Sequence, residues 1–177
     1  MTSVEYVQLK AFARVDGVLL ALLWAGSFAC YLIGLSNPSW SATALLMAVS
    51  TPLFAAWRLR SFRNTVLNGG ISFLRGWFFV VLLFFYAGLL FAIAQYGYLA
   101  YMDHGYLMRM LQQMLESPES QQLIVQYGMG DMMNESVQQL LAMRPIDLVL
   151  NMLTTNIMMG FILGMPIAAL MMKKVKK

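Results

Sequence analysis

Charge is scarce in this chain. Asp, Glu, Lys and Arg together make up 11% of its 177 residues, against about 25% in an average soluble domain. There is one cysteine and one histidine, so the sequence supplies neither a disulfide framework nor a Cys-based zinc set. It also lacks an embedded carboxylate pair, a nucleophile–base set and a phosphate-binding glycine loop. The expectation is a protein that is not an enzyme, with no catalytic, cofactor-binding or metal site. What the chain does have is apolar surface: 60% hydrophobic residues and a mean hydropathy of +0.66. That balance excludes a disordered chain and an ordinary soluble domain, and points to the bilayer.

Four stretches reach the roughly 17–25 residues that a bilayer crossing needs. They run over about 17–35, 40–57, 77–101 and 148–172, and none contains a charged residue. Such spans read as helices, because lipid offers no partner to exposed backbone groups. The expected fold is an all-α integral membrane protein with four transmembrane helices, forming a single membrane domain over 1–177. A short amphipathic helical segment, about 102–144, lies outside the cytoplasm between the third and fourth spans.

The few basic residues sort by side. Lys10 and Arg14 precede the first span. Arg58, Arg60, Arg63 and Arg75 lie between the second and third, and Lys173, Lys174, Lys176 and Lys177 follow the fourth. Only Arg109 and Arg144 fall in the intervening gaps, giving ten against two. By the positive-inside rule both termini are cytoplasmic. Six of the eight acidic residues (Asp103, Glu116, Glu119, Asp131, Glu135 and Asp147) fall in or beside the third gap. The net charge of +4 therefore reflects anionic inner-leaflet lipids, worth about 1 kcal/mol per basic residue near the surface, and not nucleic acid. The candidate lipid contacts are Arg58, Arg60, Arg63, Arg75, Lys173, Lys174, Lys176 and Lys177. Asp16 reads as a residue at the inner boundary, neutralised by Arg14. The lack of charge elsewhere in the spans argues against a proton relay or an ion-coupled pump. Trp40, Trp57, Trp77, Tyr98 and Tyr101 sit near span ends, as an interfacial aromatic belt would. Ser27-Phe28-Ala29-Cys30 departs from a lipoprotein cleavage box, and the apolar run continues beyond it, so Cys30 reads as part of a retained helix.

The stretch from Arg58 to Trp77 reads as a basic cytoplasmic turn. Asn68-Gly69-Gly70 is its turn signal, and Ser72 is placed to cap the third helix. Arg63, Gly70-Ile71-Ser72-Phe73 and Gly76 resemble the small bacterial membrane proteins catalogued as domain of unknown function four-one-nine-nine. That family shows an Arg followed by a Gly-Ile-Ser-aromatic stretch, with a small residue entering the next helix. The four-span layout with a long gap before the last span matches over essentially the whole chain. The resemblance implies a bacterial inner-membrane location and brings no established activity. The heavy Met content of the second half departs from the family.

Within the outer segment, Tyr106, Met110 and Met114 recur every fourth residue beside Leu107, Leu111 and Leu115, an amphipathic helical pattern. Ser117-Pro118 breaks it, with Ser117 as cap and Pro118 at the first position of a second helix. That helix runs from Glu119 to about Tyr127, and a third follows Asn134-Glu135-Ser136. About 43 residues cannot build a self-sufficient core. The apolar faces must settle on the bilayer, on the mouth of the bundle or on a partner protein.

Fourteen of the sixteen Met residues fall from Met102 onward. Thioethers bind Cu(I), and Met129, Met132 and Met133 with His104 are the best candidates, yet Met also serves as a flexible apolar filler. His104 otherwise reads as an interfacial cap beside Asp103. The fourth span carries Asn151, Thr155 and Asn156 and a Gly160–Gly164 small-residue stripe. Gln95 in the third span and Ser50-Thr51-Pro52 in the second offer further polar groups. Two readings stand. In one, these residues serve helix packing or self-association. In the other, they form the polar lining of a small transporter or channel subunit. The preferred function is a non-enzymatic membrane component acting through helix packing and its outer segment. Its expected partners are the bilayer and either a second copy or a membrane partner protein.

Overall fold

The computed structural model describes residues 3–128 and 130–173. Among them lie eight helices and no strand: α1 Ser3–Gly34, α2 Pro38–Val49, α3 Thr51–Val66, α4 Phe73–Tyr101, α5 Tyr106–Leu115, α6 Pro118–Gln126, α7 Gly130–Ala142 and α8 Pro145–Met171. Four helical stretches are long and apolar enough to cross a bilayer: Glu5–Gly34, Pro38–Val66, Phe73–Tyr101 and Pro145–Met171. The chain is an all-α, multi-pass membrane protein. It divides into two units, one of residues 1–94 with 152–177 and one of residues 95–151.

The helices do not stop where the charges begin. α1 extends back from Gly17 to Ser3, and α3 runs on past Trp57 to Val66. Lys and Arg are good helix formers, and their long stems reach from an apolar surface to water. Arg58, Arg60 and Arg63 therefore lie on α3. The expected basic turn shrinks to residues 67–72.

The second span is interrupted at Ser50, between α2 and α3. Pro52 has no N–H to donate one turn back. The Ser50 hydroxyl instead donates to the Met47 carbonyl at 2.6 Å. Thr51 is buried, and its Oγ1 accepts from Trp24 Nε1 at 3.0 Å. Ser50-Thr51-Pro52 thus makes a break between two helices and an interhelical hydrogen bond, where the sequence offered a polar lining. Thr51→Val removes the acceptor and leaves the Trp24 N–H buried without a partner. We expect a loss of about 1–3 kcal/mol, read as a lower unfolding midpoint in detergent; an unchanged midpoint would count against the bond.

The core of the first unit gathers Leu9, Ala13, Leu20 and Trp24 of α1, Ala55, Leu59 and Phe62 of α3, Phe79, Val80, Leu83 and Phe84 of α4, and Ile167 of α8. Phe62 stacks on Phe79 with ring centroids 4.9 Å apart. Lipid tails are as apolar as leucine, so association of these helices depends on close approach more than on apolar burial. Glycines supply that approach to α4. A Cβ on Gly17 would lie 2.7 Å from Tyr86 Cβ, and one on Gly160 2.6 Å from Phe84 Cβ. One on Gly164 would lie 2.9 Å from Trp77 Cδ1.

In the second unit, Asp103 is buried and its Oδ1 accepts from the Leu107 N–H at 3.0 Å. Asp103 therefore satisfies a first-turn amide of α5, whose N-cap is Gly105 at φ 77°. His104, expected as a cap, meets the Met102 carbonyl through Nδ1 at 2.9 Å. Ser117 Oγ accepts from the Ser120 N–H at 3.3 Å, and Pro118 opens α6 as the spacing predicts. α7 starts at Gly130, earlier than the sequence suggested. Arg144 and Asp147 bracket the start of α8 with contacts of 2.8 and 3.0 Å. The carboxylate holds the Arg144 guanidinium above its ordinary pKa through that hydrogen bonding.

Candidate functional site

The charged residues of the first unit converge where the start of α1, the end of α3, the start of α4 and the end of α8 meet. Their placement follows from helical periodicity. Leu9, Ala13, Asp16, Leu20 and Trp24 fall on one stripe of α1 at spacings of three and four, and all are buried. Asp16 is part of that stripe, with 1% of its surface exposed. On α3, Arg58 follows Ala55 by three positions and adjoins buried Leu59.

Asp16 pairs with Arg58, whose Nη2 donates to its Oδ1. This corrects the reading that Arg14 neutralises Asp16: Arg14 lies over the Tyr86 ring, 5.8 Å from its centroid. The side chains of Arg14 and Asp16 leave α1 in different directions, since residues two apart do not share a helix face. Arg58 also lies 5.1 Å over the Trp57 ring, which suits a weakly hydrated guanidinium. Asp16 Oδ2 and Arg58 Nε are buried with no hydrogen-bond partner among the described residues. The pair is thus buried and incompletely satisfied, a costly arrangement.

Three further contacts join the same helix ends. Arg63 Nη1 donates to the Met171 carbonyl at 2.8 Å. It supplies a positive charge and a donor to the last turn of α8, where carbonyls lack intrahelical partners. Ile71 and Lys173 exchange backbone hydrogen bonds of 2.9 and 3.1 Å. The turn before them uses left-handed Asn68 and Gly69, at φ 49° and 86°. Ser72 follows, and its carbonyl accepts the first helical bond of α4 from the Gly76 N–H at 3.0 Å. Arg75 then reaches across to Glu5 of α1, Nη1 to Oε1 at 3.2 Å. Arg60 is exposed. Lys173 contributes its backbone to the bridge, while Lys174, Lys176 and Lys177 lie outside the described residues.

The other sequence candidates are dispersed. Gly160 and Gly164 face Phe84 and Trp77 of α4, so within this chain the stripe seats α8 on α4. Trp77 Nε1 also donates to the Phe161 carbonyl at 3.1 Å, which gives that tryptophan an interhelical role beside its expected interfacial one. Thr155 is exposed, whereas Asn156 is half-buried, with its Cβ toward Gly88. In the second unit Gln95 is buried and Asn151 exposed. Of the thioether set, Met129 and the Met132 side chain lie outside the described residues. No group of three or more His, Cys, Asp or Glu side chains suited to a metal occurs among the described residues.

The sequence reading missed the Asp16–Arg58 and Glu5–Arg75 pairs. The signal was present: the α1 stripe continues back through Asp16 to Leu9 if the helix is not ended at the last charge.

A family model described as Protein of unknown function (DUF4199) matches residues 16–173. No curated protein and no solved structure matches the chain.

Proposed function

The chain belongs to the DUF4199 family of proteins of unknown function, and from that premise we propose that it is a bacterial inner-membrane protein with both termini in the cytoplasm, acting as a non-enzymatic membrane component. The observation that carries the reading is the convergence of Glu5, Asp16, Arg58, Arg63, Arg75 and Lys173 on one end of the first unit. That end holds the start of α1 and the end of α8 together, as an even number of crossings requires. The positive-inside bias of ten basic residues against two assigns it to the cytoplasm. The amphipathic pattern of α5 and the acidic gap around it then belong to the outer face. On that face they contact headgroups or a partner.

The rival reading, transport, needs the polar groups of α8 to share a wet path. Ser50 and Thr51, also offered for that path, are instead tied up in hydrogen bonds to the Met47 carbonyl and the Trp24 indole, which favours the component reading. A component forms a lasting assembly. Mass measurement of the full chain in lipid nanodiscs is expected to give a defined oligomer or a stoichiometric complex. A strict monomer without any bound protein, together with solute flux in proteoliposomes, would replace this reading by transport.

A further inference from the structure

We propose that Arg75, Ser72 and the first turn of α4 seat the phosphate of an anionic glycerophospholipid, with its acyl portion along Leu74 and Phe78. The proposal rests on the reading that the basic end faces the cytoplasmic leaflet.

A groove of about 350 Å³ opens between α1 and α4, lined by Glu5, Tyr6, Ser72, Leu74, Arg75 and Phe78. Arg75 is its cation, and its side chain is 14% exposed. Nη1 faces Glu5 Oε1 at 3.2 Å, and the Glu5 side chain is 40% exposed. Nε and Nη2 are buried without a hydrogen-bond partner among the described residues. Nε and Nη2 form one edge of the guanidinium fork. That edge matches two oxygens of a phosphate in a bidentate pair. Buried donors without acceptors are costly, so a phosphate that reaches this edge replaces a penalty by two charge-assisted bonds.

The remaining lining agrees in sign and in shape. Ser72 is exposed beside the N-terminus of α4, whose first helical bond is made by Gly76. The amides of Phe73, Leu74 and Arg75 precede that bond, and Ser72, Leu74 and Arg75 at this positive end of a 29-residue helix line the groove. Tyr6, Leu74 and Phe78 are exposed apolar residues, Leu74 at 68%, and the Tyr6 and Phe78 rings lie 6.3 Å apart. A free phosphate would leave this apolar wall unused. An amphiphile satisfies both halves of the groove, and this selects the lipid.

The test is native mass spectrometry of the full chain extracted from phosphatidylcholine nanodiscs that contain a minor fraction of phosphatidylglycerol. The wild type is expected to retain phosphatidylglycerol preferentially. Arg75→Gln should lower that retention about tenfold, and Arg109→Gln should leave it unchanged. Glu5→Gln should raise it, because it removes a negative charge from the groove wall that repels the phosphate. A purely structural Glu5–Arg75 pair would move both variants in the same direction, and that result overturns the proposal. If Arg75→Gln does not fold, Glu5→Gln and Ser72→Asp decide, the latter by repelling the phosphate and lowering retention. Equal retention of both lipids overturns the proposal, as does displacement by inorganic phosphate or glycerol phosphate, which would mark a soluble-anion site. An inverted topology would leave these binding results intact, so the two readings fail separately.

Discussion

Asp16→Ala is expected to destabilise the protein by about 3–5 kcal/mol, because it leaves the Arg58 guanidinium, whose side chain is 20% exposed, without its carboxylate. Arg58→Ala should cost a similar amount by stranding Asp16, which is 1% exposed. The double variant Asp16→Leu with Arg58→Met should recover most of the loss. Apolar side chains of similar size often replace a buried pair at no net cost, since neither then loses hydration on folding. Unfolding midpoints of the four proteins in a denaturing-detergent titration give the comparison. The Asp16–Arg58 pair is incompletely satisfied on both partners, so it is a poor device for stability alone. The double variant is therefore also the variant to assay for biological function. A stable protein that no longer functions would give the pair a role beyond holding helices. Additive losses in the single and double variants would deny the coupling altogether.

The second large effect concerns the seat of α8 on α4. Gly160→Leu places a branched side chain where even a Cβ would lie 2.6 Å from Phe84 Cβ and 2.9 Å from its ring. Phe84 is almost fully buried and bonded into a ring cluster with Trp24, 5.5 Å away, so it has little room to withdraw. Overpacking of this kind costs about 1–3 kcal/mol or more. Gly164→Leu should act similarly against Trp77, which also loses its bond to the Phe161 carbonyl if its indole is displaced. Gly97→Ala is the internal control. Nothing lies within 4 Å of its added Cβ, and alanine is the better helix former by roughly 0.5–1 kcal/mol. Opposite signs at Gly160 and Gly97 would assign the effect to contact with α4. Matching signs would assign it to helix propensity and remove the glycines from the account of helix packing.

Much of this structure is legible in the residues. Uncharged runs of bilayer length mark the four spans, because a single segment of about 20 residues satisfies its own backbone groups in lipid only as a helix. Ser117-Pro118 marks the start of α6 through capping chemistry that needs no tertiary context. The boundaries at the basic end are not legible in the same way. Hydropathy ends a span at Gly17 or Trp57, but a helix ends only where its hydrogen-bond ladder does. α1 and α3 therefore carry Asp16 and Arg58 inside the bundle. The partner of Asp16 was misplaced for a related reason. Arg14 is near in sequence, yet it leaves the helix on another face, and the true partner is 42 residues away. Thr51 shows the reverse case: a hydroxyl in an apolar span suggests a polar path, until the Trp24 indole is found on it. The role of Gly160 and Gly164 was open between self-association and internal contact. The sequence pattern is identical for both, and only the position of Phe84 and Trp77 distinguishes them.

A cytoplasmic location is proposed for the end that holds Asp16, Arg58, Arg63 and Arg75. Its most direct test uses Cys30→Ala as a background and single cysteines at Ser39, Asn64 and Gln113, all exposed positions. Spheroplasts are treated with a membrane-impermeant maleimide before or after lysis. Labelling is expected at Ser39→Cys and Gln113→Cys in intact spheroplasts, and at Asn64→Cys only after lysis. Labelling of Asn64→Cys in intact spheroplasts, with Ser39→Cys and Gln113→Cys protected, would contradict it.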